Sequence, residues 1–365
     1  MSIILFIVIL VALILVHEWG HFFAAKQTGV KVEEFGVGFP PKVFGKKMGE
    51  TEYTLNALPF GGFVRIFGEN IGDEERSPED IARSFSRKPR SIQAVIVAAG
   101  VVMNLVFAWA LLSLGYMAGL PAGADHEGFG EVRDIKTTIV EVVPESPASL
   151  AGILPGDRIL ALKTPGAEVS GGEGAGSARA FIEEHQSEEI TLTLARGAEM
   201  LSVSATPQEG IAEGKAALGF ALQDVGTLSL PPHEALIEGA RLTYDLTVRT
   251  AEGLYAFFSG IVRGQADFSS VAGPVGLVGV VGDASQFGLA GLITLTSVIS
   301  INLALINLIP FPALDGGRLV LIAIEAVRGR AISRRFVTAY SAIGFALLIL
   351  LMIVVTYHDI ARLFS

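Results

Sequence analysis

Four stretches of the 365-residue chain, at 1–17, 91–124, 284–314 and 336–358, contain no Asp, Glu, Lys or Arg. A helix needs about 20 apolar residues to cross a bilayer, so each stretch predicts a spanning helix. The first reaches that length by continuing through Phe22 to Ala25. The helices are expected at 1–25, 91–120, 284–314 and 336–358. The first has neither a basic leading segment nor a small-residue cleavage site, so it is expected to be retained rather than removed as a signal peptide.

Between the spans the pattern changes. Residues 26–90 are read as a cytosolic, membrane-associated loop. Within it, "YTLNALPFGGFVRIFGE" (53–69) has two β-prone runs flanking Pro59 and Gly61-Gly62, which predicts a hairpin. "FGVGFPP" (35–41) is too rich in Gly and Pro for an ordinary helix. Both fit either soluble loop structure or an element that dips into the membrane. Residues 72–90 read as a charged surface linker with a short helix after Ser77.

Residues 127–225 alternate in strand fashion around "ESPASLAGILPGDRILAL" (145–162), with "SGGEGAGS" (170–177) read as a flexible loop. This β-rich unit resembles a PDZ domain, which implies an α+β fold and a peptide ligand bound by strand addition. A purely steric filter is the other reading. In residues 226–283, Leu236, Ala240, Ala251, Leu254, Phe258 and Ile261 share one face of an amphipathic helix, followed by a glycine-rich connector too short to cross a membrane.

Charge sets an expected orientation. Residues 26–90 hold 11 Lys+Arg against 10 acids, and the 315–335 loop holds 5 against 2. Residues 121–283 hold 10 against 23. Basic loops mark the cytosolic side, so 121–283 and both termini are expected outside. A net charge of −10 without a basic tract argues against a nucleic-acid partner. The chain has no cysteine, which excludes disulfides and thiolate metal sites.

The chemistry begins at the end of the first span. His17-Glu18-Trp19-Gly20-His21 fits H-E-x-x-H on a helix. Residues four apart stack on one face, so both imidazoles can reach one Zn2+ ion, with Glu18 placed as a general base. The alternative, two satisfied helix histidines, sits badly in hydrocarbon, where polar groups are expensive. A catalytic zinc needs a third ligand. His126, His185, His233 and His358 are expected on the far side of the membrane, whereas "NLIPFPALDGG" (307–317) carries a single carboxylate, Asp315. Asp315 also fits an N-cap for a helix beginning near Gly317. His17 lies ~21 Å along a helix from Ile3, in the cytosolic half of a core about 30 Å thick. That is the depth expected for Asp315.

HEWGH in a first span, a PDZ-like insert and N-x-x-P-x-x-x-L-D-G at Asn307, Pro310, Leu314, Asp315 and Gly316 closely resemble the site-2 protease family of intramembrane zinc metalloproteases. The bacterial regulator-of-sigma-E protease branch is the most similar. The resemblance covers essentially the whole chain, with room for one PDZ domain where some members carry two. It implies zinc held by His17, His21 and Asp315, Glu18 as general base, and a bacterial plasma-membrane location. Implied substrates are single-pass membrane proteins such as anti-sigma factors or remnant signal peptides. The 53–69 hairpin, including Gly61, Gly62 and Phe63, would accept an unwound substrate strand. Asn307 would hydrogen-bond the substrate backbone or bond between helices. A metal-handling transporter and an inactive PDZ-presenting scaffold are the competing readings. The scarcity of polar residues in spans two and four opposes the first, and an intact Glu18 opposes the second.

Overall fold

The computed structural model describes residues 2–69, 78–197, 199–212, 215–265 and 273–362. Part of the expected 72–90 linker and the start of the glycine-rich connector lie outside the described residues. Four helices are long and apolar enough to cross a membrane: Ser2–Gln27, Arg90–Ala118, Gly288–Leu308 and Arg335–Tyr357. Their outward residues stay apolar in the isolated chain, as Ile343, Phe345 and Ile353 are each about 60% exposed. Such surfaces suit hydrocarbon rather than water.

The chain divides into two compact units, 1–112 with 239–285 and 292–365, and 113–238 with 286–291. In the first unit, the third span is shorter than the apolar run predicts. It ends at Leu308, because Pro310 and Pro312 cannot continue a helix and the next helix, Asp315–Arg328, starts only after a tight return of the chain. The glycine-rich connector is helical from Pro274 to Gln286, with the Asp359 carboxylate accepting from the amides of Gly273 and Gly276. The amphipathic helix runs from Pro232 to Arg263. Its buried positions include Ala235 and Thr243, while Leu236, Phe258 and Ile261 on the expected apolar face remain exposed.

The loop after the first span departs from the expected hairpin. Strand β1 (Val32–Met48) joins β2 (Thr51–Ile66) through a tight turn at Gly49-Glu50, while the two runs flanking Pro59 to Gly62 run in opposite directions without pairing to each other. Gly49 supplies the left-handed backbone (φ 64°) that a tight turn needs. Arg83 grips Glu50 through two hydrogen bonds of 2.6 and 2.8 Å, and Lys26 adds a third of 2.6 Å. Together these cations, Arg83 first, hold the Glu50 carboxyl at a pKa of about 2. The pair is also doubled on itself: Glu34, Phe35, Gly36 and Val37 partner Arg65, Val64, Phe63 and Gly62 on one side. On the other they partner Glu52, Tyr53, Thr54 and Leu55 in the same order. The segment 58–66 therefore forms an edge. Gly36 permits this close pairing, since a Cβ there would press on the Phe63 ring.

The second unit is a six-strand path, β3 (Leu120–Gly123), β11 (Phe220–Leu228), β4 (Arg133–Val142), β5 (Arg158–Lys163), β7 (Ile190–Arg196) and β8 (Glu199–Ala205), in that spatial order. Strand β6 (Glu168–Ser170) pairs beside β5, and β9 (Gln208–Ala212) with β10 (Lys215–Ala217) forms a separate ribbon. The alternating residues Ile190, Leu192 and Leu194 bury one face of β7 against Ile139, Ile159, Leu162 and the helix Ala175–Glu184. The glycine-rich 170–177 stretch is ordered rather than a flexible loop. Ser170 and Glu173 make a reciprocal capping box, and Gly171 lies so close to the Ile159 backbone that no side chain would fit.

Asp157, in the Gly-Asp turn before β5, is 1% exposed and accepts two hydrogen bonds of 2.7 Å from Arg196. It also accepts from the Leu154 amide. Asp157→Asn is expected to destabilise this unit by about 2–3 kcal/mol, because it removes a charge-assisted bidentate contact from a buried site. Limited proteolysis across a denaturant series should show earlier cutting within 133–228.

Candidate metal centre and active site

The helix Ser2–Gln27 carries His17 and His21 one turn apart on its inward face, while Trp19 points outward and is 50% exposed. Gly20 lets the second span come close, since a Cβ on it would collide with the Ala99 carbonyl. The second span is thereby brought against the two histidines. Its Ile96 carbonyl accepts a 2.9 Å hydrogen bond from Nδ1 of His21, which leaves Nε2 of that ring to face inward. The amide of Asn104 lies 3.3 Å from Nδ1 of His17.

Asp315 arrives from the other end of the chain. After Leu308 the backbone doubles back through bonds from Phe311 to Ile309 (2.7 Å) and Leu314 to Phe311 (3.2 Å). Gly316 and Gly317 make this possible, because a Cβ at either would strike the carbonyls of Leu308, Ile309 or Phe311. Asp315 is not the N-cap: Leu314 holds that position and Asp315 is the first helical residue, with its carboxylate free to point inward. A carboxylate also suits the positive end of a helix.

The three side chains converge. Nε2 of His17 is 3.1 Å from Oδ2 of Asp315, Nε2 of His21 is 3.4 Å from it, and the two Nε2 atoms are 3.2 Å apart. Among the described residues this is the one group of three such donors lying within 4.8 Å of one another. Two imidazole nitrogens do not face each other at such a distance in a buried site without a proton or cation between them. Oδ2 of Asp315 is buried without a hydrogen bond. Two nitrogens and one carboxylate oxygen, with space left over, match the three-ligand set of a catalytic zinc.

That space is guarded by Gly100, whose Cβ would fall against the rings of both His21 and His17. The site opens on a cleft of about 1140 Å³ lined by His17, Glu18, His21, Asn307, Asp315 and, farther along, Arg318 paired with Glu69. Glu18 therefore shares the cleft with the three converging side chains. A Cβ on Gly62 would lie 3.4 Å from Cγ of Glu18, so the edge segment of β2 passes beside this carboxylate. Val64 and Ile66 line the cleft, whereas Phe63 stacks on Phe39 with ring centroids 6.5 Å apart.

Sequence reasoning passed over the second span. Ile96, Gly100 and Asn104 recur at the same four-residue spacing as the histidines, and so share one helix face. That repeat was the available signal. Gly100→Ala is expected to fill the space between the imidazoles and lower bound zinc at least tenfold, as read by metal analysis of purified, folded protein.

The profile of Peptidase family M50 matches residues 5–351. A protein of Clostridium perfringens that carries a zinc metalloprotease name is 35% identical, with 96% of this chain and 95% of the relative covered. The regulator of sigma-W protease of Bacillus subtilis is 29% identical, with 100% and 99% covered. The zinc metalloprotease RasP of Oceanobacillus iheyensis is also 29% identical over the same shares.

Proposed function

The chain belongs to peptidase family M50 and is a zinc metalloprotease that acts by intramembrane proteolysis, and we propose that His17, His21 and Asp315 hold its metal while Glu18 is the general base. The observation that carries these roles is the convergence of three donor atoms within 4.8 Å beside a fourth acidic side chain in one cleft. Zinc held by His17, His21 and Asp315 would supply Lewis acidity toward a peptide carbonyl and toward the attacking water. Glu18 takes the proton of the attacking water and delivers it to the leaving amine nitrogen. The Arg318–Glu69 pair and the apolar residues Val64, Ile66 and Ile96 complete the lining of the cleft.

A peptide bond in a helix is hidden by its own hydrogen bonds, so the substrate must present an extended segment. We propose that it adds to the edge of β2 at Gly61, Gly62 and Phe63, which brings it past Glu18. Gly62 supports this reading through its closeness to Glu18, and Phe63 contributes by bracing β1 rather than by touching substrate. Asn307 serves as a donor to the substrate backbone, supported by its place in the cleft lining. The substrate class is single-pass membrane proteins, of the anti-sigma factor or remnant signal peptide kind.

The proposed orientation puts residues 26–90 and 315–335 in the cytosol of a bacterial cell, with 121–283 outside the plasma membrane. The β-rich unit is proposed to be a PDZ-like domain that screens substrates by size or by a bound peptide. Its helix Ala175–Glu184 beside a sheet supports that fold. A cysteine placed in the 170–177 stretch is expected to react with a membrane-impermeant maleimide added to intact spheroplasts. Labelling only after lysis would overturn the orientation.

Glu18→Gln and His21→Ala separate chemistry from metal binding. With a reporter membrane helix, Glu18→Gln should retain zinc and lose at least a hundredfold in cleavage rate. His21→Ala should lose both. Cleavage that persists in Glu18→Gln would remove Glu18 from the mechanism.

A further inference from the structure

We infer that Asn104 positions His17 as a metal ligand, its side-chain carbonyl accepting the Nδ1 proton so that the Nε2 lone pair faces His21 and Asp315. This rests on the metal-site reading of His17, His21 and Asp315. Asn104 is fully buried in the second span, and its amide nitrogen Nδ2 stands 3.3 Å from Nδ1 of His17, so the inferred bond has the amide turned over about its last torsion. Nε2 of the same ring is the atom turned toward His21 and Asp315. Once Nε2 is committed to a cation, the ring proton resides on Nδ1, and only an acceptor can face it.

The amide has that acceptor to give. Its Oδ1 is buried with no hydrogen-bond partner, so turning the amide over forfeits no other bond. The backbone at this position is anchored independently, because the Ser300 hydroxyl donates to the Asn104 carbonyl at 2.8 Å. His21 already shows the matching arrangement, with Nδ1 donating to the Ile96 carbonyl. The second span thus orients both rings from one face, through residues 96 and 104, with Gly100 between them leaving room for the ion. Outer partners of this kind typically change metal affinity by 10–100-fold.

The test measures zinc affinity by chelator competition in purified full-length protein. Asn104→Leu should weaken binding about 10–100-fold. Asn104→Asp, which keeps an acceptor and loses the donor, should bind within a few-fold of the parent. Parental affinity in Asn104→Leu, or Asn104→Asp as weak as the leucine variant, would overturn the inference. If Asn104→Leu fails to fold, long-range ¹⁵N NMR of the zinc-loaded parent decides: His17 bound through Nε2 with a protonated Nδ1 supports the role, and binding through Nδ1 ends it. His17→Ala that keeps stoichiometric zinc would instead bring down the metal-site reading itself.

Discussion

Two imidazole nitrogens 3.2 Å apart, facing one carboxylate oxygen in a largely buried site, form an arrangement that needs a proton or a metal ion between them. Much of the first unit serves this convergence. Gly20 allows the first two spans to touch, Gly100 keeps the space between the rings open, and Gly316 with Gly317 lets the chain after the third span fold back to deliver Asp315. Each glycine replaces a side chain that would collide with backbone or with one of the imidazoles. Packing alone would favour filling these positions, and leaving them unfilled keeps the three donors together as the proposed metal site requires.

The second dependence is on backbone exposed beside the site. A doubled β-ribbon ends in an edge, and edges pair readily with other extended chains. Here the edge runs past Glu18, which is where the proposed substrate strand would add. In hydrocarbon an unpaired edge would be prohibitive. Beside a cleft of about 1140 Å³ with charged groups in its lining, it is tolerable. Glu18 lines that cleft, whereas Trp19, one residue on, is exposed on the outer face of the helix.

How much of this was legible is clearest at particular residues. His17, Glu18 and His21 announce themselves, because their spacing is a property of one helix and needs no partner to interpret. Four apolar runs are visible for the same local reason. The third apolar run continues through Pro310 and Pro312, so its composition alone does not reveal that the spanning helix stops at Leu308. The runs flanking Pro59, Gly61 and Gly62 do run in opposite directions, but residues 34–37 of β1 lie between them, which no local pattern announces. Gly61 and Gly62 also serve close approach to Phe39 and Gly36, and the tight turn between β1 and β2 uses Gly49 with Glu50 held by Arg83 and Lys26. The glycine-rich 170–177 stretch misled because composition alone suggests a flexible loop where close packing requires the glycines.

The sequence by itself determined the spans, the two-histidine face, the nearby base and the presence of a β-rich insert, since each follows from periodicity within a single segment. Only the tertiary structure decided that Asp315 meets the histidines almost 300 residues away, that Gly100 and Asn104 belong to their surroundings, and that the β2 edge passes Glu18. Those facts depend on which helix faces pack together and in what register. That choice is set by the summed shape of many side chains and leaves no periodic trace in any one stretch of chain.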